Sequence, residues 1–250
     1  MTEPTGPSAA GRDIPADYGI PQLSIPNIPG ITDVGRGTSS TPAKKRSLAP
    51  EKVRPALVTI GVLLGLMIVV QIFNSLASGW NLNAKFGIIP RSVGGLDGIL
   101  FAPLLHGNWA HLLGNAVPLV IFGLLLFAGG VRQFVVVTVL VWLVSGIGVW
   151  VIGDSNSVTI GASGVVFGWL AYLVARGIFT RNIGQILVGL VLLVLWGGTL
   201  WSGIIGAGVK DFLGYSGISW QAHLFGAIGG VLAAFLVARA DGPRRAAVSA

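Results

Sequence analysis

The sequence predicts an all-α membrane protein: a bundle of six transmembrane helices with a long first outer loop. Three observations support this fold class. Hydrophobic residues make up 53% of the 250 residues and charged residues only 10%, whereas an ordinary soluble domain has about 25% charged residues. Six apolar segments each approach the ~20 residues that cross a bilayer. Lys and Arg are unequally shared between the connections of these segments.

The six apolar segments follow one another with short polar, Gly or Pro-containing breaks. We place them at 55–76, 107–128, 131–152, 162–180, 183–206 and 219–239. The stretch 77–106 is too polar and too rich in Gly and Pro to span a bilayer. Its apolar patches predict a structured element that rests at the membrane interface. Shorter outer loops are expected at 153–161 and 207–218, and the latter is a candidate for a movable cap.

The chain divides into three parts by composition. Residues 1–50 are rich in Pro, Gly, Ser and Thr, which predicts a disordered tail. This stretch lacks the apolar core of a signal peptide, so we expect it to be retained. Residues 51–242 form the predicted six-helix domain, and 243–250 a short C-terminal tail.

The basic residues near the membrane predict its orientation. The tails and even-numbered connections carry eleven: Lys44, Lys45, Arg46, Lys52, Arg54, Arg132, Arg176, Arg181, Arg239, Arg244 and Arg245. The odd-numbered connections carry three: Lys85, Arg91 and Lys210. Because cytoplasmic connections are enriched in Lys and Arg, both termini are predicted to be cytoplasmic. The protein is expected in the cell membrane, with 77–106, 153–161 and 207–218 facing outward.

Several chemistries are disfavoured by what the sequence lacks. The net charge of +7 is not arranged as a basic patch with interleaved aromatics, so a nucleic-acid partner is not expected. The chain has no Cys, and therefore no thiolate nucleophile or thiolate metal site. It has no His-Glu-x-x-His motif and no carboxylate within a predicted span. Three His make a poor metal set, so we expect no metal and no cofactor.

Three spans each place unusual polar groups near their predicted outer ends. These groups are His106 and His111 on the second span, Ser163 on the fourth and His223 on the sixth. Ionisable residues inside a membrane are costly and usually face a bundle interior or water. Their shared depth predicts a functional site near the outer face of the membrane.

Ser163 begins the fourth span in the stretch Gly161-Ala162-Ser163-Gly164. The two glycines leave room for another backbone to approach the hydroxyl, and a helix N-terminus offers free N–H groups to a developing oxyanion. The alternative is structural, because small-xxx-small patterns such as Gly164-xxx-Gly168 are common packing faces of transmembrane helices.

The second span carries His111 and Asn115, which are four residues apart and share one helix face. Both side chains can therefore point donors at one place. His106 lies about 140° around the helix from His111, so we expect it to organise the preceding loop by hydrogen bonds. Interhelical hydrogen bonding without chemistry is the alternative for His111 and Asn115.

The sixth span predicts a partner for Ser163. Gly226 and Gly230 form a flat helix edge that suits the Gly164–Gly168 edge of the fourth span. Packing these edges together would bring His223 near Ser163 and make a nucleophile with its general base. No carboxylate is evident as a third member, so we predict a dyad.

Taken together, these motifs resemble the rhomboid intramembrane serine proteases. Over roughly 55–240, the second, fourth and sixth spans carry the matching motifs in order: His106-x4-His111-x3-Asn115, Gly161-Ala162-Ser163-Gly164 with Gly168, and Ala222-His223-x2-Gly226-x3-Gly230. The resemblance implies Ser163 as nucleophile, His223 as base, an oxyanion hole from the Ser163 N–H with His111 and Asn115, and His106 as a loop organiser. Gly161, Gly164, Gly226 and Gly230 are implied as structural residues near the site.

Two departures from the family pattern stand out. A Trp-Arg pair is frequent in the first outer loop of the family, whereas this chain has a separated Trp80 and Pro90-Arg91. The family commonly has a tyrosine one turn after the nucleophile, stacked on the catalytic His; this chain has Phe167, which keeps the stacking face without the hydroxyl.

The resemblance implies hydrolysis of peptide bonds in or beside transmembrane segments, with single-span membrane proteins and the lipid bilayer as partners. Two other functions remain open. One is a catalytically inactive rhomboid-like protein that binds transmembrane clients; such relatives usually lack the Ser or the His. The other is a small-solute transporter, which would be expected to show inverted repeats.

Overall fold

The computed structural model of the protein describes residues 50–77, 79–215 and 217–249. The α-helices in this part of the chain are α1 (Pro50–Leu76), α2 (Leu82–Phe86), α3 (Gly98–Phe101), α4 (Trp109–Phe127), α5 (Val131–Ile152), α6 (Ser163–Thr180), α7 (Ile183–Trp201), α8 (Ala207–Phe212) and α9 (Trp220–Ser249). The predicted disordered tail at 1–50 lies outside the described residues, except for Pro50, which begins α1.

Six helical segments are long and apolar enough to cross a membrane. They are Val53–Leu76, Trp109–Phe127, Val131–Ile152, Ser163–Thr180, Ile183–Phe212 and Trp220–Asp241. The predicted all-helical fold with six spans is thereby confirmed. Spans of this kind are helical because a backbone in lipid must satisfy its own hydrogen bonds, and a helix does so. Five of the six spans begin and end within two residues of the predicted positions.

The fifth span is the exception, and the predicted loop 207–218 was wrong over its first half. After α7, a π-helical turn at Ser202–Gly206 leads directly into α8, so the connection to α9 begins only after Phe212. Gly208, Lys210 and Asp211 make the stretch 207–212 less apolar than the rest of the span. The helix nevertheless continues to Phe212, with both charged side chains in its last turn. Asp211 therefore lies within the fifth span and Asp241 ends the sixth, contrary to the expectation that no carboxylate would lie within a span.

The helix of the sixth span, α9, is also longer than predicted. Helix α9 runs on to Ser249, beyond the predicted span end at 239 and through most of the predicted tail at 243–250. Asp241, at the end of the membrane-crossing part, pairs with the buried Arg176 of α6 at 2.7 Å. A buried guanidinium needs such a partner, since an unpaired buried charge is strongly destabilising.

The long loop between the first two spans is held against α5 by hydrogen bonds. The indole of Trp142 donates to the Ile99 carbonyl at 2.8 Å, and that of Trp150 to the Ser92 carbonyl at 2.9 Å. Arg91 donates to the Gly153 carbonyl at 2.7 Å, so its guanidinium satisfies a carbonyl that the end of α5 leaves unpaired. The Pro90-Arg91 pair thus anchors this loop to the third span.

The same loop fixes the segment that leads into Ser163. Ile88 and Thr159 form an antiparallel bridge with two backbone hydrogen bonds of 2.9 Å. Two residues further on, the Gly161 N–H donates to the Ala102 carbonyl at 2.8 Å. Because Thr159 and Gly161 are both hydrogen-bonded to the backbone of this loop, the segment just before α6 has a defined position.

Helix α6 is the centre of the bundle. It has the largest buried share of the six spans, and the side chains of Trp169 and Tyr172 are completely buried. Helices α4, α5, α7 and α9 all contact it. Ser163, the first residue of α6, therefore lies within reach of residues from neighbouring helices.

Candidate active site

Ser163 is the first residue of α6 and is partly exposed. The preceding turn depends on Gly161, whose φ of +111° is strained for any other residue. A Cβ on Gly161 would also lie 2.7 Å from Cε1 and Nε2 of the His111 ring. Glycine at this position therefore serves two purposes: it forms the turn, and it lets the His111 ring approach the loop before Ser163.

The structure brings Ser163 and His223 into contact across 60 residues of sequence. Ser163 Oγ lies 2.8 Å from His223 Nε2, within the range of a nucleophile and its general base. The two residues belong to different helices, α6 and α9. Their distance is therefore set by how closely these helices pack.

The close packing of α6 and α9 rests on the predicted glycine edges. A Cβ on Gly226 would collide with the backbone of Gly164, coming within 2.9 Å of its carbonyl carbon. A Cβ on Gly230 would come within 2.9 Å of the Gly168 carbonyl carbon. The obstructing atoms are backbone, so no rotamer change relieves either contact. Only glycine permits this helix separation.

Three contacts hold the imidazole of His223, which is only 6% exposed. Nε2 contacts Ser163 Oγ. The Phe167 ring stacks on one face, with centroids 3.9 Å apart and an interplanar angle of 8°. Nδ1 lies 2.8 Å from the carbonyl oxygen of Gly203 in the π-helical turn. Since a carbonyl only accepts hydrogen bonds, Nδ1 must be the donor in this contact.

His111 and Asn115 lie on the same face of α4, as their spacing predicts. The His111 ring faces Gly161, and its backbone N–H donates to the Asn108 side chain at 2.8 Å, which caps the helix. Asn115 is buried, and its Nδ2 donates to the His111 carbonyl at 3.0 Å. An amide carries two N–H donors, so this bond leaves the second one for another acceptor.

His106 precedes α4, outside the membrane-spanning segments, and is 1% exposed. Its ring packs edge-on against the His111 ring, with centroids 5.0 Å apart, and its carbonyl accepts from Asn83 Nδ2 at 3.0 Å. Burial, and secondarily the neighbouring His111, lower the pKa of His106 to about 4. The ring is therefore neutral at physiological pH and packs as an uncharged group.

Two residues near the site escaped the sequence reasoning. Ser145 of α5 is buried and donates to the Ala222 carbonyl at 2.9 Å, directly before His223. A hydroxyl in the middle of an apolar span is the signal that points to it. Gly203 offers no such signal, because it acts through a backbone carbonyl and stands in a span containing several other glycines.

No group of three or more potential metal-ligating side chains occurs among residues 50–77, 79–215 and 217–249. The residues assembled at the N-terminus of α6 are instead a hydroxyl, two imidazoles and an amide. Together with the six spans, they define the class of this protein: a multi-pass membrane protein with a serine–histidine pair at a helix N-terminus.

The comparisons with known proteins agree with that class. Residues 94–240, more than half of the chain, match the family model described as Rhomboid domain. This chain belongs to the rhomboid family. It is 39% identical over 216 residues to "Uncharacterized protein Rv1337" of Mycobacterium tuberculosis (strain ATCC 25618 / H37Rv), covering 84% of this chain and 86% of the relative.

Two further relatives extend the similarity to other bacteria. "Uncharacterized protein ML1171" of Mycobacterium leprae (strain TN) is 38% identical over 195 residues, covering 76% of this chain and 74% of the relative. "Putative rhomboid protease YdcA" of Bacillus subtilis (strain 168) is 31% identical over 135 residues, covering 53% of this chain and 63% of the relative. The two mycobacterial matches thus cover 84% and 76% of this chain.

Proposed function

We propose that this protein is an intramembrane serine endopeptidase that hydrolyses peptide bonds in or near the transmembrane segments of other membrane proteins. The observation that carries the proposal is the 2.8 Å contact between Ser163 Oγ and His223 Nε2 at the N-terminus of α6. Membership of the rhomboid family, which includes serine proteases, and the named Bacillus subtilis relative support it.

Ser163 is the proposed nucleophile and His223 the proposed general base. With Nδ1 bonded to the Gly203 carbonyl, the Nε2 lone pair faces Ser163 Oγ. His223 takes the hydroxyl proton as Oγ attacks the substrate carbonyl, then returns it to the leaving amine. Water hydrolyses the resulting acyl-enzyme by the same route.

The oxyanion of the tetrahedral intermediate needs donors on the side of Ser163 that faces α4. As the first residue of α6, Ser163 has a backbone N–H without a partner inside the helix. The His111 ring lies against Gly161, two residues before it. Asn115, one turn further along α4, retains one free N–H. We propose these three groups as the oxyanion hole.

The proposed substrates are single-span membrane proteins. A helix in lipid keeps its backbone carbonyls hydrogen-bonded, so cleavage requires a segment that unwinds readily. The excess of basic residues in the tails and even-numbered connections supports cytoplasmic termini in the cell membrane. Ser163 would then open to the outer face, where water for hydrolysis is available.

Cleavage of a generic single-span substrate in proteoliposomes tests the proposal. The parent should cleave, and Ser163→Ala should fold normally and be inactive. Thr59→Ala, which removes an exposed hydroxyl of α1, is the matched control and should retain the parent rate. A fluorophosphonate probe should label the parent and the control but not Ser163→Ala.

Undiminished cleavage by Ser163→Ala would refute the proposed nucleophile. A parent protein that retains the substrate in detergent, without cleavage and without labelling by the probe, would instead support the second candidate function. That function is client binding by an inactive rhomboid-like protein. The presence of both Ser163 and His223 at contact distance favours the protease.

A further inference from the structure

The imidazole of His223 has a third partner beyond Ser163 and Phe167. Its Nδ1 donates to the Gly203 carbonyl at 2.8 Å in a buried contact. In a Ser-His-Asp triad, an aspartate occupies this position and holds the histidine in the required tautomer and orientation. Here the partner is a backbone carbonyl from a different transmembrane span.

Carboxylates do not take this role in the described part of the chain. Three of them are bonded to other groups at 2.7–3.0 Å: Asp154 to the Asn156 N–H, Asp211 to the Trp220 indole, and Asp241 to Arg176. The group that contacts His223 Nδ1 is instead the uncharged backbone carbonyl of Gly203.

The π-helical turn explains why the Gly203 carbonyl is available. In an α-helix, this carbonyl would accept from the N–H four residues later, that of Ala207. Here the Ala207 N–H bonds to the carbonyls of Ser202 and Ile204 instead. The turn thus directs that N–H away from Gly203, and the carbonyl accepts from His223. Single π-turns inside α-helices often occur at functional sites.

The side chain matters as well, because residue 203 packs against the imidazole and its stacking partner. A Cβ on Gly203 would lie 2.5 Å from Cζ of Phe167 and 3.0 Å from Nδ1 of His223. Any larger residue would displace the carbonyl, the Phe167 ring or the imidazole. Glycine is the residue that lets the carbonyl approach within hydrogen-bond distance.

We propose that Gly203 is a positioning residue whose π-turn carbonyl takes the place of the triad aspartate and fixes His223 as the Nδ1–H tautomer. This inference rests on the proposed function only for its catalytic consequence. A carbonyl accepts but does not donate, so Nδ1 keeps its proton and the lone pair of Nε2 points at Ser163 Oγ. Because the carbonyl is a dipole and not an ion, it orients the His223 imidazole without adding a charged group to the site.

Nitrogen-15 NMR of the full-length protein in detergent, labelled at histidine, tests the tautomer directly. The chain has three His, so the His223 signals are assigned by their loss in His223→Gln. We expect the Nδ1–H tautomer with a hydrogen-bonded Nδ1 proton in the parent and in Ser163→Ala. An Nε2–H tautomer in the parent would overturn the proposal, whatever any variant does.

Gly203→Ala should lose that single-tautomer signature, while the His106 and His111 signals stay in place. Gly198→Ala is the matched control: it lies on the same span, and its added Cβ would meet no atom within 4 Å. An unchanged His223 tautomer in folded Gly203→Ala would also overturn the proposal. A merely structural effect would lower thermal stability without changing the tautomer.

The catalytic consequence is measured separately. Loss of the orienting group in a serine triad costs about 10⁴ in kcat, and Gly203→Ala should lower kcat by at least about 10² with little change in KM. Gly198→Ala should keep the parent kcat. A parent without protease activity would refute the proposed function alone, since the tautomer result does not depend on cleavage. A Gly203→Ala variant with parent kcat would refute the positioning role.

Discussion

Gly226→Ala should weaken catalysis by changing the distance between two helices, without touching either proposed catalytic side chain. An alanine Cβ at this position would lie 2.9 Å from the Gly164 carbonyl carbon and 3.2 Å from its Cα. Non-bonded carbon atoms in contact are about 3.5–4.0 Å apart. The Gly164 carbonyl oxygen lies closer still, so helix α9 must retreat from α6 by more than about 0.6 Å at this level.

His223 lies one turn before Gly226 and moves with it. The retreat would extend the Ser163–His223 contact from 2.8 Å beyond the reach of about 3.2 Å that proton transfer requires. A misplacement of about 1 Å costs about 10²-fold in rate, which corresponds to about 2.7 kcal/mol of transition-state stabilisation. Overpacking should also lower the free energy of unfolding by about 1–3 kcal/mol.

The assay is cleavage of a single-span substrate in proteoliposomes, with thermal melting of the same preparations in detergent. Gly61→Ala makes the same chemical change on α1, where the added Cβ meets no atom within 4 Å, and should leave rate and melting temperature unchanged. If folded Gly226→Ala cleaved at the parent rate, the glycine contact would not set the Ser163–His223 distance, and the reasoning would be refuted.

Three further predictions concern the neighbouring residues. Asn115→Ala should lower kcat by about 10²-fold with little change in KM, because one of three oxyanion donors is lost; full activity with lower stability would show a packing role. His106 has a pKa of about 4 in the folded protein, against 6.5 for a free imidazole, so the unfolded chain binds a proton more readily between these values. The free energy of unfolding should therefore stay constant above pH 6.5 and fall by about 3 kcal/mol toward pH 4. Thermal melts of His106→Gln should show a smaller decline over this range. In this Cys-free chain, an impermeant maleimide should label Leu213→Cys in intact cells but not Val131→Cys, and the reverse would invert the topology.

The sequence by itself determined the number of spans and nearly all of their ends. This is because a bilayer imposes one strong rule: a segment that crosses it must be about 20 apolar residues of helix. The rule failed only at 207–212, where charged residues occupy the end of a span rather than a loop. The matching edges of Gly164 and Gly226 were also readable, since small residues at a spacing of four mark close helix packing.

The tertiary structure alone decided how the chemistry is assembled. The contact between Ser163 and His223 joins residues 60 positions apart, and its length depends on the exact separation of two helices. The anchoring of the loop between the first two spans by Arg91 follows from the position of the α5 end, which the sequence does not give. The orienting group for His223 was the least readable of all. It is a backbone carbonyl, which every residue carries, and only the π-turn at Ser202–Gly206 makes that of Gly203 available.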